Sequence, residues 1–400
     1  MGTKRCIAMI LAEGQGACLG ALTRFYSKPA IPFGGNNRII DFTLNNCYNA
    51  GIDTIGILSQ DTNPDLQAHI NAAYDGNHYM LLPESIKSTY RSMADAVSRN
   101  IAFINRFEPT NVLILPGDHI TMIDYNEMIA FHENTNADVT IASRLISINA
   151  ASRFGTLNAT EDGCVSAFEA GTSGAECDLA SIGIYIFKWS TLKEYLLTDS
   201  KYKQIQYEFD KDIIPEMLSS HESVYTYQFE GYWRDIESVD AFWEASMDQI
   251  DEPSYQIDKT GQNMHLRERP RTMTGNEEIR QSIISHDCMI SGRVEHSVLS
   301  NWVQIGKGAE VVNSVIMPNT YIGNNVTIMN AVIGTGAIIM DNTVIGAEDG
   351  VDYFVDRQVC SHDVSLVAPW LYITNGIQFR KNSHIYEEQL DEYASIKDAM

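Results

Sequence analysis

Basic side chains are scarce in this sequence, where 28 Lys and Arg face 52 Asp and Glu and give a formal net charge of −24. Affinity for a phosphate backbone comes mainly from clustered Lys and Arg. The charge balance therefore argues against nucleic acid, and against an anionic membrane, as a large partner. Small anions stay open because they need only a local cluster of cations, and Arg24, Lys28 and Arg38 supply one.

Paired cysteines and long apolar runs are also missing. The seven cysteines stand singly with no CxxC pair, which excludes zinc ribbons and redox motifs and predicts buried free thiols. There is no charged-then-apolar leader and no apolar run of about 18 residues, so we expect a cytoplasmic protein. At 400 residues and 44% hydrophobic composition, the chain can bury the cores of two or more domains.

Short apolar runs alternate with stretches of helical period in the first 250 residues. The stretch 93–106 is one such helical candidate, and Gly14 and Gly16 follow the first apolar run. Strands alternating with helices favour a mostly parallel sheet with helices on both faces, and ligands on such sheets bind at the carboxyl ends of the strands. The predicted strands lie at 5–11, 55–58, 111–115, 139–142 and 182–187.

The pattern changes after residue 250. Residues 251–280 are polar, contain two prolines and have no sustained period, so we interpret them as a linker. Within 281–400 the triplets that start at Ser297, Ser314 and Ala331 recur every 17 residues. This repeat favours a parallel β-helix with a C-terminal extension over the alternative, an antiparallel sandwich. The open ends of a β-helix favour assembly with other chains.

A glycine-rich loop follows the first predicted strand. Gly14, Gly16 and Gly20 resemble the dinucleotide fingerprint, but that motif needs its third glycine one position earlier. The P-loop pattern GxxxxGK[ST] does not occur in the sequence. The loop pattern by itself leaves nucleotide binding and a structural turn both open.

The next residues carry a specific family resemblance. KPAIPFGG at 28–35 and RIIDF at 38–42 resemble the opening of sugar-nucleotide pyrophosphorylases, above all the ADP-glucose pyrophosphorylases, or glucose-1-phosphate adenylyltransferases. GDH at 117–119, ASRFG at 151–155 and GYWRDI at 231–236 extend the resemblance over nearly the whole chain. It implies an α/β, Rossmann-like nucleotidyltransferase domain at 1–250, with a mostly parallel sheet flanked by helices. A left-handed parallel β-helix would follow.

The resemblance also implies a reaction and a site. ATP and glucose 1-phosphate would form ADP-glucose and pyrophosphate, with Mg²⁺ as cofactor held by Asp118 and Asp235. Because the attacking phosphate oxygen is already anionic, catalysis would rest on positioning and charge neutralisation. Lys28 and Asp118 would be catalytic, and His119 and Trp233 are interpreted as structural residues. The nucleotide would contact Leu11, Ala12, Gly14, Gly16, Ala94 and Asp118, and the sugar phosphate Gly155, Glu169 and Ser181.

Three motifs depart from the family pattern. In the family's GGxGxRL loop, Glu13 stands for a glycine and Cys18 for the arginine that would face the leaving pyrophosphate. Ser92 and Met93 replace the glycine and threonine of a GTA-type turn. Ala170 and Gly171 replace the lysine and proline of FxEKP, so the sugar phosphate loses its expected cation.

These departures support three hypotheses. The first is a weakly active or regulatory subunit of a homo- or hetero-tetramer with a catalytic sister chain. In the second the chain is a fully active glucose-1-phosphate adenylyltransferase, in which neighbours such as Gln15, Arg24 or Arg91 compensate. The third is a sensor that binds a sugar phosphate or nucleotide without turnover.

Overall fold

The computed structural model describes most of the chain as two compact units. The described residues are 5–12, 17–35, 37–59, 64–74, 79–83, 90, 92–146, 154–170, 179–199, 208–251, 273–274, 279–349 and 364–386. One unit takes its residues from 1–13, 43–117 and 121–233, and the other from 14–42, 118–120 and 234–400. The chain therefore passes between the units several times.

The described α-helices are short and lie in the first 251 residues. Within the described ranges, none is long and apolar enough to cross a membrane. The stretch 93–106 is divided at Asn100 into two helices, whereas its period suggested one, because Asn100 leaves the helical conformation (φ −106°, ψ 15°). The helices are α1 (Ile39–Asn49), α2 (Pro64–Ala73), α3 (Met93–Arg99), α4 (Ile101–Asn105), α5 (Tyr125–Asn134), α6 (Trp189–Asp199), α7 (Ile214–Ser219) and α8 (Val239–Asp251).

The first unit is built on a sheet of nine described strands. Four other strands form two separate two-stranded ribbons, in which β2 pairs with β3 and β7 pairs with β13. The strands are β1 (Cys6–Leu11), β2 (Pro32–Phe33), β3 (Asn37–Arg38), β4 (Ile55–Ser59), β5 (Tyr79–Pro83), β6 (Asn111–Pro116), β7 (His119–Thr121), β8 (Val139–Leu145), β9 (Gly155–Ala159), β10 (Val165–Ala170), β11 (Leu179–Lys188), β12 (Val224–Gln228) and β13 (Trp233–Asp235).

The sheet is mixed, which corrects the expectation of a mostly parallel one. Its parallel part is β6-β1-β4-β5, and β12 also runs parallel to β8. Strand β11, however, is antiparallel to β6, β8 and β9, and β9 is antiparallel to β10. Antiparallel neighbours need no crossover helix, and β8, β9, β10 and β11 follow one another with no described helix between them.

The core of this unit contains the apolar faces of these strands and of α3, α4 and α6. Ile7, Met9, Val112, Ile114 and Phe187 belong to one buried cluster. Cys6 and Cys47 are buried and free, and in the other unit Cys288 is too, as predicted for isolated thiols. Cys164 is free and half-buried, whereas Cys18, Cys177 and Cys360 lie outside the part whose side chains are described.

Three parallel sheets form the β-helix of the second unit, consistent with the left-handed type implied by the resemblance. Their all-parallel pairing rules out the antiparallel sandwich. The first sheet is β14 (Met273–Thr274), β17 (Met289–Ile290), β20 (Gln304–Ile305), β23 (Tyr321–Ile322), β26 (Ile338–Ile339) and β29 (Tyr372–Ile373). The second is β15 (Ile279–Arg280), β18 (Arg293–Glu295), β21 (Glu310–Val312), β24 (Thr327–Met329), β27 (Val344–Ala347) and β30 (Gln378–Arg380). The third is β16 (Ile283–Ile284), β19 (Val298–Leu299), β22 (Val315–Ile316), β25 (Ala331–Ile333), β28 (Ser365–Val367) and β31 (His384–Ile385).

The 17-residue repeat is one turn of this β-helix. Val298 pairs with Val315, and Val315 pairs with Val332, so equivalent residues stack in successive coils. At the corner before this sheet, the Ser297 hydroxyl accepts a hydrogen bond from the Ser314 N–H at 3.1 Å. The Ser314 hydroxyl does the same for the Ala331 N–H at 3.2 Å. Because each coil satisfies the polar groups of its neighbour, the repeat determines the register.

We predict that protonation of His132 destabilises the first unit. His132 on α5 lies 2.8 Å from the Thr140 hydroxyl, and burial lowers the pKa of its imidazole to about 4 against opposing effects of Glu133 and Asp138. The unfolded chain takes up this proton near pH 6.5, so stability is complete above that pH and falls as the pH drops towards 4. Between pH 7 and pH 5 the imidazole should cost about 2 kcal/mol of unfolding free energy.

Urea unfolding of the parent and of His132→Asn at the two pH values measures this cost. Asparagine can keep a polar contact with Thr140 but does not titrate in this range. The unfolding free energy of His132→Asn should therefore fall less between pH 7 and pH 5 than that of the parent, by the cost given above. His221→Asn, at an exposed position with φ 60°, is the control. Equal pH dependence in the parent and in His132→Asn would contradict the prediction.

Candidate functional site

Three charged residues that are far apart in the sequence converge in the second unit. Lys28 Nζ donates a hydrogen bond to Asp118 Oδ2 at 2.8 Å and lies 3.6 Å from Asp235 Oδ1. The side chains of Lys28 and Asp235 are only 9% and 7% exposed, and that of Asp118 is 21% exposed. The chain thus places one ammonium group between two carboxylates in a largely buried position.

Lys28 and Asp118 stabilise each other's ionised forms. Burial lowers the pKa of Lys28, but the charges of Asp118 and Asp235 outweigh it and hold that pKa above its ordinary value. Burial likewise raises the pKa of Asp118, yet the charges of Lys28 and His119 bring it below its usual range. Lys28 is therefore a cation and Asp118 an anion at neutral pH.

Local backbone geometry explains how each group reaches this place. Lys28 begins a short 3₁₀ turn, Lys28–Ala30, with Pro29 preset for a helical start. Asp118 follows Gly117, whose N–H donates to the Leu11 carbonyl at 2.9 Å. A Cβ at Gly117 would lie 2.8 Å from that carbonyl oxygen, so a glycine is required before the aspartate. Asp235 ends β13, which pairs with β7.

His119 is closer to the charged groups than a purely structural histidine need be. Its Nε2 lies 3.6 Å from Asp235 Oδ1 and 3.9 Å from Asp118 Oδ1. The residue is 9% exposed. Sequence reasoning interpreted it as structural because nothing in the GDH motif shows that its ring meets a carboxylate from residue 235. Trp233, in contrast, packs edge-on against Phe154 with ring centroids 5.4 Å apart, as expected for a packing residue.

Some of the residues predicted to contact the nucleotide lie in the first unit. Leu11 ends β1, and the N–H of Ala12 donates to the Leu58 carbonyl at 2.8 Å. Ala94 is buried in the first turn of α3, in the core cluster against which Leu11 packs. Ser92, which departs from the family pattern, caps α3 by accepting a hydrogen bond from the Asp95 N–H at 3.1 Å. The departure is thus compatible with a well-formed helix start.

The predicted sugar-phosphate residues lie on three adjacent strands of the same unit. Thr156 on β9 pairs with Glu169 on β10 and with Ala180 on β11, which brings Gly155, Glu169 and Ser181 to neighbouring positions. Glu169 is exposed, whereas Ser181 is buried and lies 3.2 Å from the Tyr185 hydroxyl. The sequence motifs alone did not show that these residues are neighbours.

Several predicted residues fall outside the described part of the chain. Glu13, Gly14, Gln15 and Gly16 of the glycine-rich loop lie there, as do Arg91 and Gly171. For Cys18 and Ala170 the backbone is described but the side chain is not. Their roles stay predictions.

The three basic residues expected to form a cationic cluster near the loop each contact different groups in the structure. Arg38 Nη1 donates to the Ala30 carbonyl at 2.7 Å, and its guanidinium lies 5.9 Å from the Tyr26 ring centre. Arg24 lies 5.0 Å from the ring centre of Tyr386. Lys28, in contrast, contacts both Asp118 and Asp235.

The two carboxylates are groups of the type that binds Mg²⁺ together with a phosphate ligand. No group of three or more His, Cys, Asp and Glu arranged to hold a metal occurs among the described residues. An all-protein metal cage is therefore not present in that part of the chain. Mg²⁺ is usually bound through one or two carboxylates together with waters and substrate phosphates. Asp118 and Asp235 both approach Lys28, so they could supply such a pair.

Comparisons with known proteins agree with this fold. The nucleotidyl transferase family matches residues 7–252, and the GlmU-like, C-terminal hexapeptide family matches residues 270–367. Proteins named glucose-1-phosphate adenylyltransferase from Bacillus mycoides (strain KBAB4), Bacillus cereus (strain ATCC 10987 / NRS 248) and Bacillus anthracis are each 39% identical to this chain over 363 residues. Each alignment covers 87% of this chain and 96% of the relative.

We predict that Lys28→Gln raises the pKa of Asp118. The amide is close in size to the lysine stem but carries no charge, so the attraction that lowers this pKa is lost. Carboxyl NMR of protein labelled at aspartate measures the titration. Lys188→Gln, which removes a cation 3.7 Å from Asp138, should leave Asp118 unchanged. An Asp118 pKa that is the same in the parent and in Lys28→Gln would contradict the charge coupling.

Proposed function

This chain belongs to the glucose-1-phosphate adenylyltransferase family, and we propose that it is a subunit of an enzyme that forms ADP-glucose from ATP and glucose 1-phosphate. The observation that carries the proposal is the convergence of Lys28, Asp118 and Asp235 on one buried point. Residues of these types are what charge neutralisation during nucleotidyl transfer requires. We further propose that this subunit is weakly active or regulatory.

In the proposed reaction Lys28 contacts a phosphate oxygen, while Asp118 and Asp235 are the metal ligands. Mg²⁺, when bound, would neutralise charge on the ATP phosphates and orient them. With substrate absent, the ammonium of Lys28 offsets the repulsion between the two carboxylates. The side chain is largely buried, so its charge acts on a phosphate with little screening by water. No general base is required, because the attacking phosphate oxygen is already an anion.

The proposed weakness follows from cations that the sequence lacks. Cys18 stands where relatives are expected to carry an arginine for pyrophosphate, and Glu13 brings an anion to the same loop. Ala170 stands where a lysine would hold the sugar phosphate. Loss of one well-placed donor typically costs about 10²–10³ in rate. A chain that keeps Lys28 and both aspartates but loses these groups suits a subunit that modulates a catalytic sister chain.

The second candidate is an ordinary, fully active adenylyltransferase. The intact cluster of Lys28, Asp118 and Asp235 is the observation in its favour, since a chain released from catalysis has no need of buried ion pairs that are costly to desolvate. Turnover of the isolated chain separates the two candidates.

We predict that restoring the missing cations increases turnover. Pyrophosphate release with Mg²⁺ at saturating ATP and glucose 1-phosphate should be far below the ordinary enzyme rate of about 10 s⁻¹. Combining Glu13→Gly, Cys18→Arg and Ala170→Lys should raise it by more than the single changes suggest, because these groups act as one unit.

The control makes the same change of net charge at exposed positions: Glu161→Gly, Ser190→Arg and Gln228→Lys. It should leave the rate unchanged. A parent rate near 10 s⁻¹ would support the second candidate instead. A silent triple variant that still binds ATP would place the defect in the metal site or the adenine pocket.

We also propose assembly as a tetramer, through one face of the β-helix. The in-register outward positions of the first sheet are Met289, Gln304, Tyr321, Ile338 and Tyr372, and none of them is charged. Trp302 and Trp370 lie next to this row and are 57% and 58% exposed. In a chain of net charge −24, such a face suits contact with another subunit.

We predict that acidic side chains on this face break the assembly. Light scattering of the parent, alone or mixed with a catalytic sister chain, should give about four times the monomer mass of 44.7 kDa. Tyr321→Glu combined with Ile338→Glu should reduce that mass. Met329→Glu with Gln378→Glu, at exposed positions of the second sheet, is the control. A parent that stays monomeric in both samples would exclude the regulatory subunit.

A further inference from the structure

Arg234 is held by two carboxylates of helix α8. Its Nε donates to Asp248 Oδ2 at 2.9 Å, and its Nη1 donates to Glu244 Oε2 at 3.0 Å. Glu244 and Asp248 are four residues apart, so they lie on the same face of the helix. Side chains alternate along a strand, so Arg234 points away from the direction taken by its neighbour Asp235. One residue of β13 thus contacts α8 while the next contributes to the charged cluster.

Helix α8 is in turn attached to the β-helix at two points. The indole N–H of Trp243 donates to the Asn313 carbonyl at 2.7 Å. At the end of α8, His296 lies between Asp251 and Asn313, with each of its ring nitrogens 2.8 Å from one side-chain oxygen. Both attachments involve the corner of a β-helix coil at Asn313, where φ is 48°. The position of α8 along its axis is therefore determined by the β-helix.

The segment that carries Lys28 packs on the same helix. The ring of Phe33 meets that of Phe242 edge-on, with centroids 5.6 Å apart. Beside it, a Cβ at Gly34 would lie 2.5 Å from Gln249 Oε1, and φ at Gly34 is 61°, so a side chain there would have to displace the Gln249 amide and adopt a strained backbone. Two of the three groups of the charged cluster, Lys28 and Asp235, are thus connected to α8 through neighbouring residues.

We propose that Arg234 is a positioning residue: clamped by Glu244 and Asp248, it holds Asp235 in the geometry that binds a divalent cation and links that geometry to the β-helix through α8. The inference rests on the proposed function, because it takes Asp235 to be a metal ligand. Groups that orient a metal ligand typically change metal affinity by about 10–100-fold when removed. A link of this kind would let contacts on the β-helix alter the cation site.

Mn²⁺ alone, titrated into the full-length protein and followed by electron paramagnetic resonance, tests the clamp without any need for turnover. The test variant is Glu244→Ala with Asp248→Ala, which removes both acceptors and keeps good helix formers. Its matched control is Glu295→Thr with Glu310→Thr around Arg293, which is 38% exposed as Arg234 is. Asp118→Asn and Asp235→Asn report separately whether the observed Mn²⁺ is at the proposed site.

The expected result is a loss of Mn²⁺ affinity of about 10-fold in the α8 variant, with unchanged circular dichroism and an unchanged control. Parent-like affinity in the α8 variant, with binding lost in Asp235→Asn, would overturn the clamp and leave the proposed function standing. Binding that is insensitive to both aspartate substitutions would overturn the metal site of the proposed function, and the clamp with it.

A milder variant tests the route to the β-helix and covers the case in which the double alanine variant does not fold. Trp243→Phe keeps an aromatic ring but removes the hydrogen bond to Asn313. We expect Trp243→Phe to weaken Mn²⁺ binding. When it is combined with the α8 variant, the loss of affinity should be smaller than the sum of the two separate losses, because both changes act through one helix. Parent-like affinity in Trp243→Phe, or full additivity of the two effects, would overturn the link through α8.

Discussion

A lysine ammonium held between two aspartate carboxylates is the interaction on which the second unit depends. Each of these charges is costly to remove from water, and the ammonium of Lys28 offsets part of that cost for both carboxylates, as they do for the ammonium. Lys28, Asp118 and Asp235 come from three separate segments, so the charges can meet only if those segments are fixed in place. The 3₁₀ turn at Lys28, the glycine before Asp118 and the paired strands β7 and β13 each serve this requirement.

The contrast between this cluster and the residues that depart from the family pattern is the physical basis of the proposed function. The charged centre keeps its three residues, whereas two of the three departures from the family pattern replace residues expected to grip phosphate groups. In the proposed site, a metal ion held by the two carboxylates would take its other ligands from waters and from those phosphates. The proposed chain would retain nucleotide affinity while its turnover depends on a partner, and the uncharged face of the β-helix is the surface proposed for that partner.

The β-helix adds a constraint of a different kind. The described coils pair with their neighbours through parallel strands, and serine hydroxyls accept hydrogen bonds from the backbone of the next coil at the corner. A stack of this type resists local change, because moving one coil breaks hydrogen bonds on both sides. Helix α8, attached to the corner at Asn313, therefore rests on a rigid support. Rigid support is what positions a carboxylate well enough to hold a cation.

The sequence by itself determined the features that depend on local pattern. The 17-residue repeat predicted the coil that pairs Val298, Val315 and Val332, and the motifs around Lys28, Asp118 and Asp235 predicted the groups that converge. Only the tertiary structure decided the direction of β11, because a fully buried apolar run looks alike in parallel and antiparallel sheets. It also decided the contacts of His119 and the clamp on Arg234. Such contacts are set by how α8 and β13 pack, and the spacing of residues along the chain does not encode that packing.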